Sequence, residues 1–279
     1  MNLILFFYRC SLSLLLVTGL FLSTPGPVDA AESLPVVAKK ASLQSLIDVD
    51  RHYNLSFLWF DSLAVGQLSF RRDPSAPNRY RAILDAKTLG VAAWLTGDRK
   101  QHYESLMEMT PQGRFVALEY RSMIYKKRAG EVIEQTKSYK FEPATRTIFV
   151  TRHKAGQTGE DNPRKIVCET CPVDFLTAGF NFIIGADGPL EPGVRKEILT
   201  FTDKGERNIT IEVLGAADWP KTSFLKKGGG TLLKIILPTE ILDTGGGAVY
   251  ALLDEKFLPQ RVIVENVLGI GDVRGELRR

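Results

Sequence analysis

Apolar side chains recur at every second position along most of the chain from about His52 onward. The first such segment reads Tyr53, Asn54, Leu55, Ser56, Phe57, and the same period returns in residues 67–70, 80–86, 116–124, 139–142, 208–213 and 272–277. Successive side chains of a β-strand point to opposite faces of its sheet. This period therefore predicts strands with one buried face and one solvated face.

Short turn-like segments connect several of these predicted strands, at residues 127–130, 142–145 and 203–206. Links this short join antiparallel neighbours, because parallel strands need a longer crossover. The pattern gives about a dozen strands, enough for a large sheet that curls on itself. We therefore predict a mainly β protein, built as a large curled antiparallel sheet or an open β-barrel.

Two stretches depart from the period of two. Residues 88–96 predict a short helix or a tight apolar crossing. Residues 172–184 predict an amphipathic helix, with Pro172 at its first position, Asp174 in its first turn and Gly185 at its end. Its apolar stripe consists of Val173, Leu176, Phe180 and Ile184. We expect this helix to pack into the concave side of the sheet or to plug its end.

The first thirty residues have the order of a cleavable secretory signal. Arg9 is the only charge before Asp29, an uncharged and mostly apolar run covers residues 11–23, and Ala30 follows a Pro-Gly-Pro turn. A membrane anchor is the alternative, but this run is shorter than the about 20 residues that cross a bilayer. We predict a signal peptide at residues 1–30, a lead segment at 31–51, and a single antiparallel β domain at 52–279 in the periplasm.

The charges exclude some classes of partner. The 279 residues carry a formal net charge of +4, and the charges are scattered rather than gathered in a long basic block. This argues against nucleic acid as a partner. After removal of the signal, we expect that the mature chain is not an integral membrane protein. The short cluster Lys126-Lys127-Arg128 is expected to be a solvated turn, with weak contact to anionic lipid headgroups as the alternative.

Two cysteines, Cys168 and Cys171, lie directly before the predicted helix. We predict a structural disulfide between them, because an oxidising compartment favours it and it would fix the entry of the chain into the helix. A redox dithiol is the alternative, since a helix N-terminus lowers the pKa of a thiol. Zinc fits less well, because the chain has no second cysteine pair.

Other side chains form no catalytic motif in the sequence. His52, His102 and His153 lie far apart, and no Gly-x-Ser-x-Gly elbow is present. The glycine runs at residues 228–230 and 245–247 lack the Lys-Ser/Thr that follows in a phosphate-binding loop. We therefore predict that the protein is not an enzyme and binds no cofactor or metal.

Six aromatic residues fall early in the predicted sheet: Tyr53, Phe57, Trp59, Phe70, Tyr80 and Trp94. Their first interpretation is a packed core. The alternative is the lining of a cavity for an acyl chain or another apolar ligand, which β-barrels commonly hold.

Several segments, taken in order, are similar to parts of a known family. Those that begin at Leu55 and Ala64 resemble its opening hairpin, the one at Cys171 its helix, and those at Leu253 and Ile270 its closing strand pair. The family is the exported bacterial domain of unknown function 3108, and the resemblance covers about residues 52–278. It implies a periplasmic, β-rich protein and transfers no functional residue.

An exported, curled sheet without a catalytic motif favours a binding or carrier protein for an apolar or amphiphilic envelope component. The alternatives are a structural or interaction protein of the envelope, and a thiol-redox protein that uses Cys168 and Cys171. The expected partner is a lipid or another apolar ligand, and the sequence leaves its identity and the oligomeric state open.

Overall fold

The structure is a computed structural model that describes residues 40–57, 60–128, 130–155, 163–202, 205–226, 230–242, 247–267 and 271–278. The predicted signal peptide, much of the lead segment and Trp59 lie outside these residues. A short helix, α1 (Leu43–Leu46), precedes the first strand. That strand begins at Val49, slightly before the predicted start of the β domain.

Strands dominate the fold, as the period of two predicts. The described residues form β1 (Val49–Phe57), β2 (Phe60–Arg72), β3 (Arg79–Thr88), β4 (Lys100–Met109), β5 (Phe115–Arg128), β6 (Glu131–Glu142), β7 (Thr147–Lys154), β8 (Arg164–Val167), β9 (Arg195–Thr202), β10 (Gly205–Leu214), β11 (Thr231–Ile236), β12 (Val249–Leu253), β13 (Pro259–Val267) and β14 (Gly271–Leu277). Further helices are α2 (Gly90–Thr96), α3 (Phe175–Ile183), α4 (Ser223–Lys226) and α5 (Thr239–Leu242). None of the helices in this part of the chain has the length and hydropathy of a membrane span.

All fourteen strands belong to one antiparallel sheet, in the order β8-β7-β6-β5-β4-β3-β2-β1-β14-β13-β12-β11-β10-β9. In the sheet, β1 lies between β2 and the last strand of the chain, β14. Its Tyr53 pairs with Gly66 of β2 on one side and with Leu277 of β14 on the other. The order starts at β8 and ends at β9, so across the described strands the sheet is not closed. The predicted curled antiparallel sheet is confirmed.

Alternation along the strands separates a dry inner face from a wet outer face. In β4, Tyr103, Ser105 and Met107 are buried, whereas the alternating His102 and Glu104 are half-exposed. The hairpins predicted at residues 127–130, 142–145 and 203–206 join β5 to β6, β6 to β7 and β9 to β10.

The predicted amphipathic helix forms as α3, but it begins later than Pro172. Asp174 is its N-cap rather than part of its first turn, and one carboxylate oxygen accepts bonds of 3.0 Å from the backbone amides of Leu176 and Thr177. An Asp side chain satisfies the first amides of a helix in this way, which fixes where the helix starts. The chain leaves the helix through Gly185, whose φ of 77° suits glycine.

Polar contacts attach α3 to the inner face of the sheet, where it packs on β3, β4, β5 and β9. The fully buried Asn181 acts as a strand partner for Phe115: its Oδ1 accepts from the Phe115 amide at 2.7 Å, and its Nδ2 donates to the Phe115 carbonyl at 2.8 Å. The Thr200 hydroxyl donates to the Val173 carbonyl, at 2.8 Å, just before the helix. The helix is thereby fixed in position as well as buried.

Asn181→Ala should destabilise the protein, because it leaves the buried amide and carbonyl of Phe115 unpaired, at a cost of about 1–3 kcal/mol for each group. Denaturant unfolding measures the difference. Asn208→Ala is the matched control, since Asn208 is exposed and its bond to Glu197 is long, at 3.5 Å. Equal losses of stability in the two variants would contradict the role given to Asn181.

Candidate functional site

A large apolar cavity lies between α3 and the inner face of the sheet. Its volume is about 410 Å³, within the range of about 300–1,000 Å³ typical of small-molecule sites. Its walls come from α3 and from inward positions of β1–β4 and β10–β14, and most lining residues are aliphatic or aromatic. This cavity is the candidate ligand site.

Several apolar side chains in the cavity wall are only half-buried, although they point to the inner face. They are Leu55, Leu84, Ile235, Val262 and Val264. In a close-packed core such side chains would be covered on all sides. Their partial exposure shows that the inner face is unfilled on this side of α3.

Side-chain size explains where the space lies. From β2 to β7 the inner face is rich in aromatic residues that pack together: Phe70 stacks on Tyr80 with ring centroids 5.5 Å apart, and Tyr139 lies 4.6 Å from Phe201 of β9. From β10 to β14 the cavity wall consists mainly of Ile, Leu, Val and Ala. The aromatic residues fill their part of the interior. The cavity lies mainly beside the shorter side chains, and it reaches β2 and β3 at Gly66, Leu68, Leu84 and Ala86.

The helix presents a glycine to the cavity. Gly179 is half-buried, and a Cβ atom at this position would have no neighbour within 4 Å. A glycine inside a helix costs about 0.5–1 kcal/mol relative to alanine. Since packing does not require glycine here, its effect is to keep space open over the helix surface.

Few polar groups reach the cavity. The Tyr53 hydroxyl donates to the Pro259 carbonyl at 2.8 Å and is thus already satisfied, and burial raises the pKa of this phenol. Gln101 Nε2 donates to the Tyr103 hydroxyl at 3.1 Å, close to the start of β4. A ligand would therefore meet mainly apolar wall, with polar positions at Gln101 and Tyr103 and at Asp85, whose carboxylate is paired with His102.

The structure separates the six aromatic residues that the sequence singled out. Tyr53 lines the cavity. Phe70 and Tyr80 lie in the packed aromatic core. Trp94 is 81% exposed on α2 and does not line the cavity. The remaining two are Phe57, half-buried at the end of β1, and Trp59, outside the described residues.

Most of the cavity residues that sequence reasoning missed are aliphatic. The period of two identifies Ile209, Ile211 and Val273 as inward strand positions, and all three line the cavity. It does not reveal that their side of the sheet is unfilled. The signal that could have found them is the succession of short inward side chains from β10 to β14, opposite an aromatic first half.

A buried carboxylate, Asp174, lies at the start of α3. One of its oxygens accepts bonds from the Ser105 hydroxyl at 2.8 Å and from the Thr177 hydroxyl at 2.6 Å. Burial raises the pKa of this carboxyl above its ordinary value of 3.8, although these bonds act in the opposite direction. Asp174 does not line the cavity, so we assign it to anchoring the helix rather than to chemistry.

The pH dependence of stability should report on Asp174. Because the pKa of its carboxyl is raised in the folded state, the stabilisation that the proton provides is lost as the pH rises through that pKa. Asp174→Asn keeps a cap and cannot ionise, so the variant should lose less stability than the wild type between about pH 4 and pH 8. Denaturant unfolding at the two pH values gives the comparison, and identical pH dependence of both proteins would contradict this account.

Cys168 and Cys171 are free thiols, so the predicted disulfide is not present in the structure. Cys168 is buried beside the Glu206 carboxylate, whereas Cys171 is exposed and its Sγ lies 3.5 Å from the Pro143 carbonyl oxygen. The two thiols thus have different partners. Burial, aided by Glu206, raises the pKa of Cys168 to about 11, which opposes formation of the thiolate that redox exchange requires.

A maleimide reagent should modify Cys171 rapidly in the native protein and Cys168 only after unfolding, because the Cys168 thiol is buried and its pKa is raised. Peptide mass spectrometry of native and unfolded samples measures both reactions. Cys171→Ser should remove the fast reaction. If neither cysteine reacted before a reductant was added, a disulfide would be present in solution instead.

A second concavity, of about 450 Å³, lies on the outer face of β3–β7. Charged side chains of both signs line it, and Arg81 there forms an ion pair with Glu104. Nearby, His102 Nδ1 lies 2.7 Å from an Asp85 carboxylate oxygen. Such mutually satisfied charges suit a solvated sheet face. Within the described ranges no group of three or more His, Cys, Asp or Glu is placed to hold a metal ion.

The sequence matches no protein-family model and no curated protein. Among solved structures, the chain is similar to the crystal structure of a beta-barrel-like protein of domain of unknown function DUF1849 from Brucella abortus. The TM-score is 0.46 and the sequence identity 11%, and the match covers 84% of this chain and 97% of that chain. The resemblance to the 3108 family stays a prediction.

Proposed function

We propose that this chain is a non-enzymatic binding or carrier protein for an apolar or amphiphilic component of the cell envelope. The observation that carries the proposal is the cavity beside α3, of about 410 Å³, whose wall is mostly apolar. Empty apolar space in a core lowers stability, because its lining loses packing contacts. A ligand that fills the space would recover those contacts.

The wall determines the chemistry of the ligand. Aliphatic side chains of β10–β14 and the surface of α3 would bury an acyl chain or a similar hydrocarbon group, at about 0.8 kcal/mol for each CH₂ removed from water. The Gln101 amide and the Tyr103 hydroxyl lie at one position of this wall and would bind a polar headgroup. An amphiphile with a single hydrocarbon portion matches both features.

The predicted signal peptide supports a periplasmic location for this activity. A hydrocarbon ligand that crosses an aqueous compartment has to be shielded from water. A mostly apolar cavity between a curled sheet and α3 provides that shielding.

Gly179→Trp tests the proposal by filling the cavity from the helix. No atom lies close to the Cβ position, so the indole has room to project into the space that the ligand would occupy. Native mass spectrometry of the gently purified wild type should show a bound lipid-sized mass that the variant lacks. Affinity for a fluorescent fatty acid should fall by about tenfold or more, because the buried hydrocarbon contacts are lost.

Gly179→Ala is the matched control, since it adds a single methyl group. It should retain ligand binding and stabilise the protein by about 0.5–1 kcal/mol through its higher helix propensity. The proposal is refuted by a wild type that carries no ligand and binds no probe. Undiminished binding by a Gly179→Trp variant with an unchanged circular dichroism spectrum would refute it as well.

A thiol-redox function has weaker support. The pKa of Cys168 is raised to about 11 and its thiol is buried, whereas redox thiols are exposed and have a lowered pKa.

A further inference from the structure

Exposed apolar side chains gather at the end of the sheet where α2 lies. Trp94 of α2 is 81% exposed, Phe60 at the start of β2 51%, and Val132 and Ile133 at the start of β6 50% and 37%. Single exposed apolar residues are normal, but a group of them marks an interaction site. Together these four residues form an apolar rim.

Backbone hydrogen bonds hold the elements of the apolar rim together. The Leu89 amide donates to the Leu63 carbonyl at 2.8 Å, which places the start of α2 beside β2. The Lys127 amide donates to the Gly97 carbonyl at 2.6 Å, which places the end of α2 beside the β5–β6 hairpin, where Val132 pairs with Lys127. The apolar rim therefore extends across β2 to β6, a width of about 19 Å at the usual strand spacing.

Basic side chains accompany the apolar rim. Lys87 lies next to the end of β3, Lys100 begins β4, and Lys127 lies near the end of β5; all three are exposed. Lys127 also forms an ion pair of 3.0 Å with Asp98. The further charged residues here whose side chains are described are Asp61, Arg99, Lys126, Glu131 and Glu134, which is level with Lys100 across β5. Among these described side chains, five basic groups therefore accompany four acidic ones, Asp98 included.

We propose that the apolar rim and its lysines dock the protein onto an anionic lipid bilayer. Tryptophan favours the boundary between water and hydrocarbon, and lysines near it are attracted by anionic headgroups. Both features occur together here. The apolar side chains project from α2 and from two separate strands, an arrangement that a fluid surface accommodates without a complementary fixed shape.

Docking at this end would bring the cavity close to the lipid. Lys87 and Lys100 directly follow and precede the cavity residues Ala86 and Gln101 in the chain. The apolar rim itself does not line the cavity. Docking and ligand binding are therefore separable, and Gly179→Trp should leave docking unchanged.

Flotation of the purified protein with lipid vesicles tests the proposal. At low salt the wild type should float with vesicles of phosphatidylcholine and phosphatidylglycerol, and it should bind pure phosphatidylcholine vesicles much more weakly. Trp94→Ala should weaken binding to the anionic vesicles about tenfold, because the indole no longer enters the interface. Lys87→Gln and Lys100→Gln should each weaken it about fivefold, and added salt should release the wild type.

Matched controls come from the opposite part of the sheet. Val167 of β8 is 70% exposed and Lys165 of the same strand is exposed, so Val167→Ala and Lys165→Gln remove the same kinds of group outside the apolar rim. Both should bind vesicles as the wild type does. The proposal is overturned if the wild type stays unbound at low salt, if it binds neutral and anionic vesicles equally, or if the rim variants bind no more weakly than these controls.

Discussion

The short length of a single helix, α3, determines how much of the space inside the sheet is filled by protein. Nine residues of α3 span about 14 Å, whereas a ten-residue strand such as β4 is about 33 Å long, or about 25 Å along a barrel axis after tilting. A curled sheet of fourteen strands encloses more space than one such helix can fill. The remaining volume has to be filled by side chains from the strands or by something that is not protein.

The polar contacts of α3 prevent the helix from moving to close that space. Asn181 is bonded to both backbone groups of Phe115, and Asp174 to the Ser105 hydroxyl, so the helix is attached to β5 and β4 by directional bonds. A shift of α3 toward β10–β14 would leave these buried polar groups unpaired. The free energy lost in this way exceeds a typical gain from closer packing. The anchors thus keep the helix on the aromatic side and the cavity on the aliphatic side.

This division explains what the sequence could and could not predict. Strand alternation and the stripe of α3 are local patterns, so the sheet and the buried helix follow from them. The cavity is a property of side chains brought together from distant segments, such as Leu55 and Val262. Aromatic residues suggested the site because they are large, but Phe70 and Tyr80 fill space for that reason, and the cavity lies where inward side chains are short. The raised pKa of Cys168 similarly depends on its burial and on a long-range neighbour, Glu206, neither of which the spacing of the cysteines reveals.

The two proposals are connected by the cost of releasing a hydrocarbon ligand. Transfer of an acyl chain from the cavity to water costs about 0.8 kcal/mol for each CH₂, whereas transfer to a bilayer exchanges one apolar surrounding for another. A carrier of such a ligand therefore has to bring its cavity to a membrane surface. β3 and β4 contribute Leu84, Ala86 and Gln101 to the cavity wall, and the connection between these same two strands is α2, which carries Trp94. The helix that would contact lipid, α2, thus directly connects two strands of the cavity wall. The proposed docking surface therefore lies at the end of the β3–β4 pair that also contributes to the cavity.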